Sequence, residues 1–249
     1  MLGALAALAA GPAPAAFDES GDGERLEPIA RGEPVRFKLT PTWLQTTNEP
    51  DAGDLNLRAN LGPHAAWVGY YRQSDVFRQA RAGYEHAFDL PFGRVVAGAQ
   101  AASRGFLGGA IGAEIGTGPV FGVVGFGRTN LRPYFNLNFD PNDAITFGAG
   151  WRPREETTVV LFQIYDDRLG TGQRVTHLVA RTRPSRRTRW GVDLFHRSGQ
   201  TEAEDGVRVS STGVAVTFDY DRWFARVAWD PKVNFTVEDM LRVAVGVRF

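Results

Sequence analysis

The sequence predicts an all-β chain folded as a transmembrane antiparallel up-and-down β-barrel of about fourteen strands. Three observations carry this. Apolar and polar residues alternate with period two from Pro34 to the end, and helical periodicity is nowhere sustained. The large apolar residues collect on one face of each segment, and the opposite face is small or charged. Short polar links alternate with longer ones between the segments, which gives up-and-down strands with tight turns at one end and loops at the other.

Composition narrows the alternatives. The chain has 249 residues, 28 basic against 28 acidic side chains, 29 glycines and no cysteine. Zero net charge argues against a general nucleic-acid binder, which needs a basic surplus. Without cysteine there are no disulfides, zinc-thiolate sites or thiol nucleophiles. Mean hydropathy is -0.24 and no apolar run reaches helical spanning length. A barrel passes that filter, because its lipid-facing residues alternate with polar ones and average out.

Met1 to Ala10 is nearly pure Leu and Ala and leads into Gly11, Pro12 and Ala13-Pro14-Ala15-Ala16. An apolar stretch ending in small residues reads as a signal peptide over residues 1–16, although no basic residue precedes it. Residues 17–33, rich in Gly, Asp and Glu, read as a flexible segment ahead of the fold. The barrel is assigned to residues 34–249.

The first strand sets Val35, Phe37, Leu39 and Trp43 against Arg36, Lys38, Thr40 and Thr42. Further along, Leu107, Ile111 and Ile115 oppose Gly108, Ala110, Gly112 and Glu114. Ile145, Phe147, Ala149 and Trp151 oppose Thr146, Gly148 and Gly150, and Trp190, Val192 and Leu194 oppose Gly191 and Asp193. The last strand is the clearest, with Leu241, Val243, Val245, Val247 and Phe249 on one face and Arg242, Ala244, Gly246 and Arg248 on the other. Glycine weakens a strand whose face meets water. Inside a barrel it relieves crowding or leaves a lumen open, so the large apolar face is assigned to lipid. On that reading an arginine at Ala244 or Gly246 should cost less than one at Val245 if the lumen is open, since the charge would stay hydrated. Trp43, Trp151, Trp190, Trp223 and Trp229 fall near strand ends, as an interfacial girdle requires.

Strands are expected near residues 34–47, 54–72, 77–88, 93–103, 105–116, 119–128, 131–139, 143–152, 156–166, 173–183, 187–197, 207–220, 222–230 and 240–249. Gly62-Pro63 interrupts the long second segment, and splitting it makes the count odd, so twelve is left open beside fourteen. Arg152 to Glu155, Pro184 to Arg187 and Asp219 to Asp221 read as tight periplasmic turns. Residues 166–174, 198–206 and 230–239 read as outer loops.

A secretory leader, alternating strands and a final Arg242-Val243-Ala244-Val245-Gly246-Val247-Arg248-Phe249 together resemble a Gram-negative outer-membrane β-barrel. The resemblance is to an architecture, from Pro34 onward. It implies export through the periplasm to the cell outer membrane, contact with outer-membrane lipid and lipopolysaccharide, and Phe249 as the assembly signal read by the barrel-assembly machinery.

The chemistry legible in the residues is sparse. No Gly-rich loop precedes a helix, so no phosphate cradle is expected. His64, His86, His177 and His196 stand apart without metal-ligand spacing, and neither metal nor cofactor is expected. His196 and Ser198 form an H-x-S at the end of a strand on the lipid face, resembling the dyad of outer-membrane phospholipase A and the lipid A deacylases. In such a dyad the imidazole takes the hydroxyl proton and a third group orients it. Here Gly199 stands where an Asn commonly follows, and Glu202, Glu204 and Asp205 lie in a loop.

The inward face suggests another function. Arg36, Lys38, Arg226, Arg242 and Arg248 project inward near the seam of the first and last strands, with Glu114 and Asp193 as acidic partners. A wet, charged interior suits a pore for small polar or anionic solutes, and it equally suits charges that pair and plug the barrel. The alternatives are a phospholipid or lipid A acyl hydrolase using His196 and Ser198, and a structural or assembly barrel presenting its outer loops.

Overall fold

The computed structural model describes residues 35–166, 168–201 and 206–249. The expected signal peptide, the flexible segment and the acidic loop residues Glu202, Glu204 and Asp205 lie outside the described residues. Fourteen antiparallel strands close into one barrel: β1 Arg36–Thr46, β2 Ala52–Leu61, β3 His64–Gln73, β4 Phe77–Leu90, β5 Gly93–Ala102, β6 Phe106–Ile115, β7 Val120–Thr129, β8 Ala144–Arg154, β9 Thr157–Asp166, β10 Arg174–Ser185, β11 Thr188–Gln200, β12 Arg208–Tyr220, β13 Trp223–Asp230 and β14 Met240–Arg248. Each strand pairs with its sequence neighbours, and β1 pairs with β14. Beyond the last ladder pair, Phe37 and Phe249 exchange two backbone hydrogen bonds of 2.7 and 2.9 Å and stack their rings at 5.6 Å.

The expected number of strands is found, but two of the expected strands are not. Residues 54–72 form two strands joined by Gly62-Pro63, where Gly62 adopts a positive φ of 53° and Pro63 supplies no backbone donor. Residues 131–139 form no strand. Their alternation of Tyr134, Asn136 and Asn138 with Phe135, Leu137 and Phe139 mimics one, but Pro133 removes a ladder donor. Leu131 and Phe139 also take left-handed backbone conformations, φ 58° and 61°. The two differences cancel in the count.

The links at one end (the turn end) are two-residue turns such as Glu155-Glu156, Arg186-Arg187 and Asp221-Arg222, apart from residues 116–119. At the other, the loop end, they run from three residues at 74–76 and 103–105 up to the long segments 130–143 and 231–239. Burial follows the period of two along most of the wall, for example in β4, β12 and β13. Leu55, Val68, Leu107, Ile111, Val124, Leu161, Leu178, Leu194 and Val245 are all exposed on the outer surface, as are Trp43, Trp151, Trp190, Trp223 and Trp229. An apolar belt of this extent belongs in lipid.

The inward glycines have a definite use. Trp67 lies directly opposite Gly83 in the ladder, Phe121 opposite Gly150, Phe195 opposite Gly213, and Phe224 opposite Gly246. In each pair a Cβ on the glycine would collide with the ring. Aromatic side chains lie flat along the inner wall because the residue beside each has no side chain. At Gly246 the space an added side chain would need is taken by the Phe224 ring and the Leu39 carbonyl.

Candidate functional site

The segment joining β7 to β8, residues 130–143, turns into the barrel at the loop end. Asp143 anchors its return. One carboxylate oxygen accepts from the Thr129 backbone N–H at 3.1 Å and from Arg168 Nη1 at 2.7 Å, and the other accepts from Thr129 Oγ1 at 2.6 Å. At the entry, Asn130 Oδ1 accepts from the Leu107 N–H, and its Nδ2 donates to the Gly105 carbonyl at 2.7 Å. Both feet of the loop are thus fixed to the rim.

Its apolar side chains pack on the inner wall. Phe135 stacks on Tyr71 with centroids 3.5 Å apart, and Tyr134 stacks on Phe106 at 4.1 Å. Phe139 joins a buried cluster with Leu44, Tyr71, Phe77, Val233 and Met240. Its backbone, which has no ladder partner, is satisfied by inward side chains of distant strands. On β4, Gln79 Nε2 donates to the Pro133 carbonyl at 2.8 Å, and its Oε1 accepts from the Phe135 N–H at 2.8 Å. Arg81 donates to the Phe135 carbonyl at 2.7 Å and also to Asp54 of β2, with both side chains almost wholly buried. Arg242 of β14 donates to the Leu137 carbonyl. Arg197 of β11 donates to Asp230 at 2.5 Å, to the carbonyls of Pro231 and Lys232, and to the Phe139 carbonyl at 3.4 Å. The Tyr134 hydroxyl donates to Gln100 Oε1 at 3.1 Å, and burial pushes its pKa up to about 12, so it stays a donor.

Below the loop, His177 of β10 bridges loop and wall. Its Nε2 lies 3.3 Å from Asp140 Oδ1, and its Nδ1 lies 3.1 Å from both carboxylate oxygens of Asp193 on β11. Phe162 stacks on the imidazole at 4.8 Å, so the ring is held on its face as well as its edge. Asp140, Asp193, Arg197, Arg226 and Arg242 surround a small cavity at this level. A larger cavity lies against β9 to β13, toward the turn end, with Arg181, Asp193 and Arg226 among its lining residues.

The residues expected to line the lumen all lie on the inward side of their strands, with different surroundings. Lys38 is buried with its ammonium 4.7 Å from the Phe224 ring centroid, and Arg248 reaches the same ring at 4.8 Å while donating to Asp219 at 3.3 Å. Glu114 accepts from Arg152, which also lies over Phe121 at 3.7 Å. Arg36 is exposed at the turn-end rim. Only Asp193, Arg226 and Arg242 come together around one cavity. The sequence reading missed His177, Arg81, Asp54, Arg197 and the whole infolded segment. Pro133, Pro141 and the polar residues Asp140, Asn142 and Asp143 were the available signal.

His196 and Ser198 lie on the outer face, as the period of two requires, but they do not form a dyad. The imidazole Nδ1 contacts Thr212 Oγ1 at 3.0 Å, and Ser198 Oγ accepts from Arg174 Nε at 2.9 Å. Neither bond activates the hydroxyl, and no carboxylate among the described residues is hydrogen-bonded to His196. The isolation expected of the other histidines is corrected too. His64 and His86 are direct cross-strand partners on the outer face, with Nδ1 atoms 3.2 Å apart and the Tyr84 hydroxyl 2.6 Å from His64. A separation of 22 residues hides a pairing that strand register creates. Among the described residues, no group of three His, Cys, Asp or Glu side chains is placed to hold a metal ion.

No sequence family matches the chain, and no curated protein does. Solved structures match in fold. The outer membrane protein Omp33 of Acinetobacter baumannii aligns over 86% of this chain and 98% of its own, at 9% identity and a TM-score of 0.52. A triple mutant of the Rhodopseudomonas blastica porin aligns over 87% of this chain and 100% of its own, at 9% identity and a TM-score of 0.48. The NanC porin aligns over 84% and 98%, at 9% identity and a TM-score of 0.46. The likeness to Omp33 is one of fold.

Proposed function

We propose that the protein is an integral outer-membrane pore for small polar solutes, with a preference for anions, and that the infolded segment 130–143 sets its conductance. The observation that carries this reading is the segment itself. It is folded into a charged interior and tethered there by Gln79, Arg81, Arg197 and Arg242 from strands on different sides of the barrel. A segment fixed in the lumen narrows the path and brings polar side chains to its edge, which is where selectivity is decided. The outer-membrane residence of Omp33, whose fold this chain shares, supports the location.

The anion preference is supported by the wall formed by β10 to β14 and β1. It carries Lys38, Arg181, Arg189, Arg226, Arg242 and Arg248 inward, against Asp193, Asp219 and Asp230. Each of those carboxylates already has a partner: Asp193 faces His177, Asp219 pairs with Arg248, and Asp230 pairs with the likewise inward Arg197. The long loops face outside the cell in this reading, and Phe249 lies at the periplasmic rim, where the assembly machinery takes hold of the chain.

Reconstitution in planar bilayers under a potassium chloride gradient tests the proposal. Discrete conductance steps with a reversal potential favouring chloride are expected. A barrel that folds and inserts but stays silent at all voltages would refute it, and a cation-selective pore would refute the anion preference.

A further inference from the structure

The larger cavity has two chemically different sides. Toward β10 and β13 it is cationic. Arg181 pairs with Gly191, Gly191 with Thr217 and Thr217 with Arg226 in consecutive ladders, so the two arginines lie three ladder steps apart in register, and both line the cavity. Between them are a glycine and a short hydroxyl side chain, which leave space for a ligand. Toward β9 and β10 the wall is apolar, with Val160, Phe162 and Val179 lining the same cavity and Ala215 beside them. Asp193 also borders it, with both carboxylate oxygens turned to His177 at 3.1 Å.

We infer that this cavity is a binding site for an organic anion with a compact apolar body, of the class of aromatic or branched-chain monocarboxylates. The carboxylate sits between Arg181 and Arg226 within reach of the Thr217 hydroxyl, and the body lies against Val160, Phe162 and Val179. Arginine suits the charged end because its planar fork matches a carboxylate in two parallel hydrogen bonds. An apolar wall with few convergent polar groups is the usual composition of a small-molecule site. An inorganic anion would leave the apolar wall unused, and a sugar acid would set hydroxyls against it without partners. This deepens the anion-passage reading and rests on it. The site would collect one kind of anion below the tethered loop instead of passing all alike.

The test is isothermal titration calorimetry on the full-length protein folded in detergent micelles, with sodium benzoate, benzamide and sodium acetate as probes. Benzoate is expected to bind. Benzamide, which lacks the charge, and acetate, which lacks the body, should each bind about tenfold more weakly or worse, the loss expected of one charge-assisted hydrogen bond or one apolar contact face. Arg181→Gln and Arg226→Gln should weaken benzoate to the level of benzamide. Equal binding of benzoate and acetate, equal binding of benzoate and benzamide, or full benzoate affinity in both folded glutamine variants would each overturn the site. The probe comparison uses the unaltered protein, so it does not depend on whether a variant folds. Bilayer currents separate the two readings. Chloride conductance without benzoate binding removes the pocket alone, and benzoate binding with the stated ranking in a barrel that never conducts removes the pore alone.

Discussion

Arg242, six residues before the last ladder position of β14, donates a hydrogen bond to the carbonyl of Leu137 in the middle of the chain. The strand that closes the barrel therefore also holds the segment inside it. The Arg242 guanidinium lies 4.8 Å from the Phe139 ring centroid as well, so it grips the loop by backbone and by side chain. Arg242→Met keeps the bulk and removes both interactions. Leaving the Leu137 carbonyl unsatisfied costs ~1–3 kcal/mol, enough to loosen one tether without unfolding the barrel. Open-channel current noise in bilayers should rise in this variant, and unchanged noise would show that Arg242 does not restrain the loop.

The pairing of Phe224 with Gly246 makes a second prediction. Gly246→Val forces a branched side chain into the ring and should cost ~1–3 kcal/mol as overpacking. Phe224→Ala in the same chain should restore part of that loss, because it removes the ring and leaves only the Leu39 carbonyl to crowd the new Cβ. The temperature at which the protein loses its compact, heat-modifiable migration on a gel reads both. Additive losses in the double variant would mean that the two positions do not share that space.

The outer face makes a third. Val245 is half exposed on the lipid side of β14, and Val245→Arg should cost ~2–4 kcal/mol if it lies near the bilayer midplane. Refolding into lipid vesicles under urea titration measures it. A loss within a few tenths of a kcal/mol would argue that this face does not meet hydrocarbon.

The Asp54 and Arg81 pair makes a fourth. Both side chains are almost wholly buried, and Arg81 also holds the Phe135 carbonyl. Asp54→Ala leaves a buried guanidinium without its carboxylate and should cost ~3–5 kcal/mol, whereas Asp54→Leu with Arg81→Met should recover much of it. The same gel assay, read across temperature, distinguishes the two.

The architecture was legible in the sequence because a barrel wall repeats one rule along its length. Leu241 to Phe249 shows the rule almost without noise, and the ladder of β14 obeys it residue by residue. Residues 131–139 show why the site was not. Their alternation satisfies the strand pattern locally, and what removes them from the wall is long-range: Gln79, Arg81, Arg197 and Arg242 supply the hydrogen bonds a ladder would have supplied. The spacing of His177, Asp140 and Asp193 carries no motif, since barrel closure and an inward turn bring them together. The small inward residues were visible, but the sequence did not tell whether they emptied the lumen or seated Trp67, Phe121, Phe195 and Phe224.

The most direct test of a loop-limited pore is single-channel conductance of the intact protein against a variant in which residues 131–140 are replaced by a short Gly-Ser linker. Asn130 and Asp143 are retained so that the rim stays fixed. The account predicts discrete steps in the intact protein and clearly larger steps, with weaker chloride preference, in the variant. Identical steps in the two proteins, or silence in both despite correct folding and insertion, would contradict it.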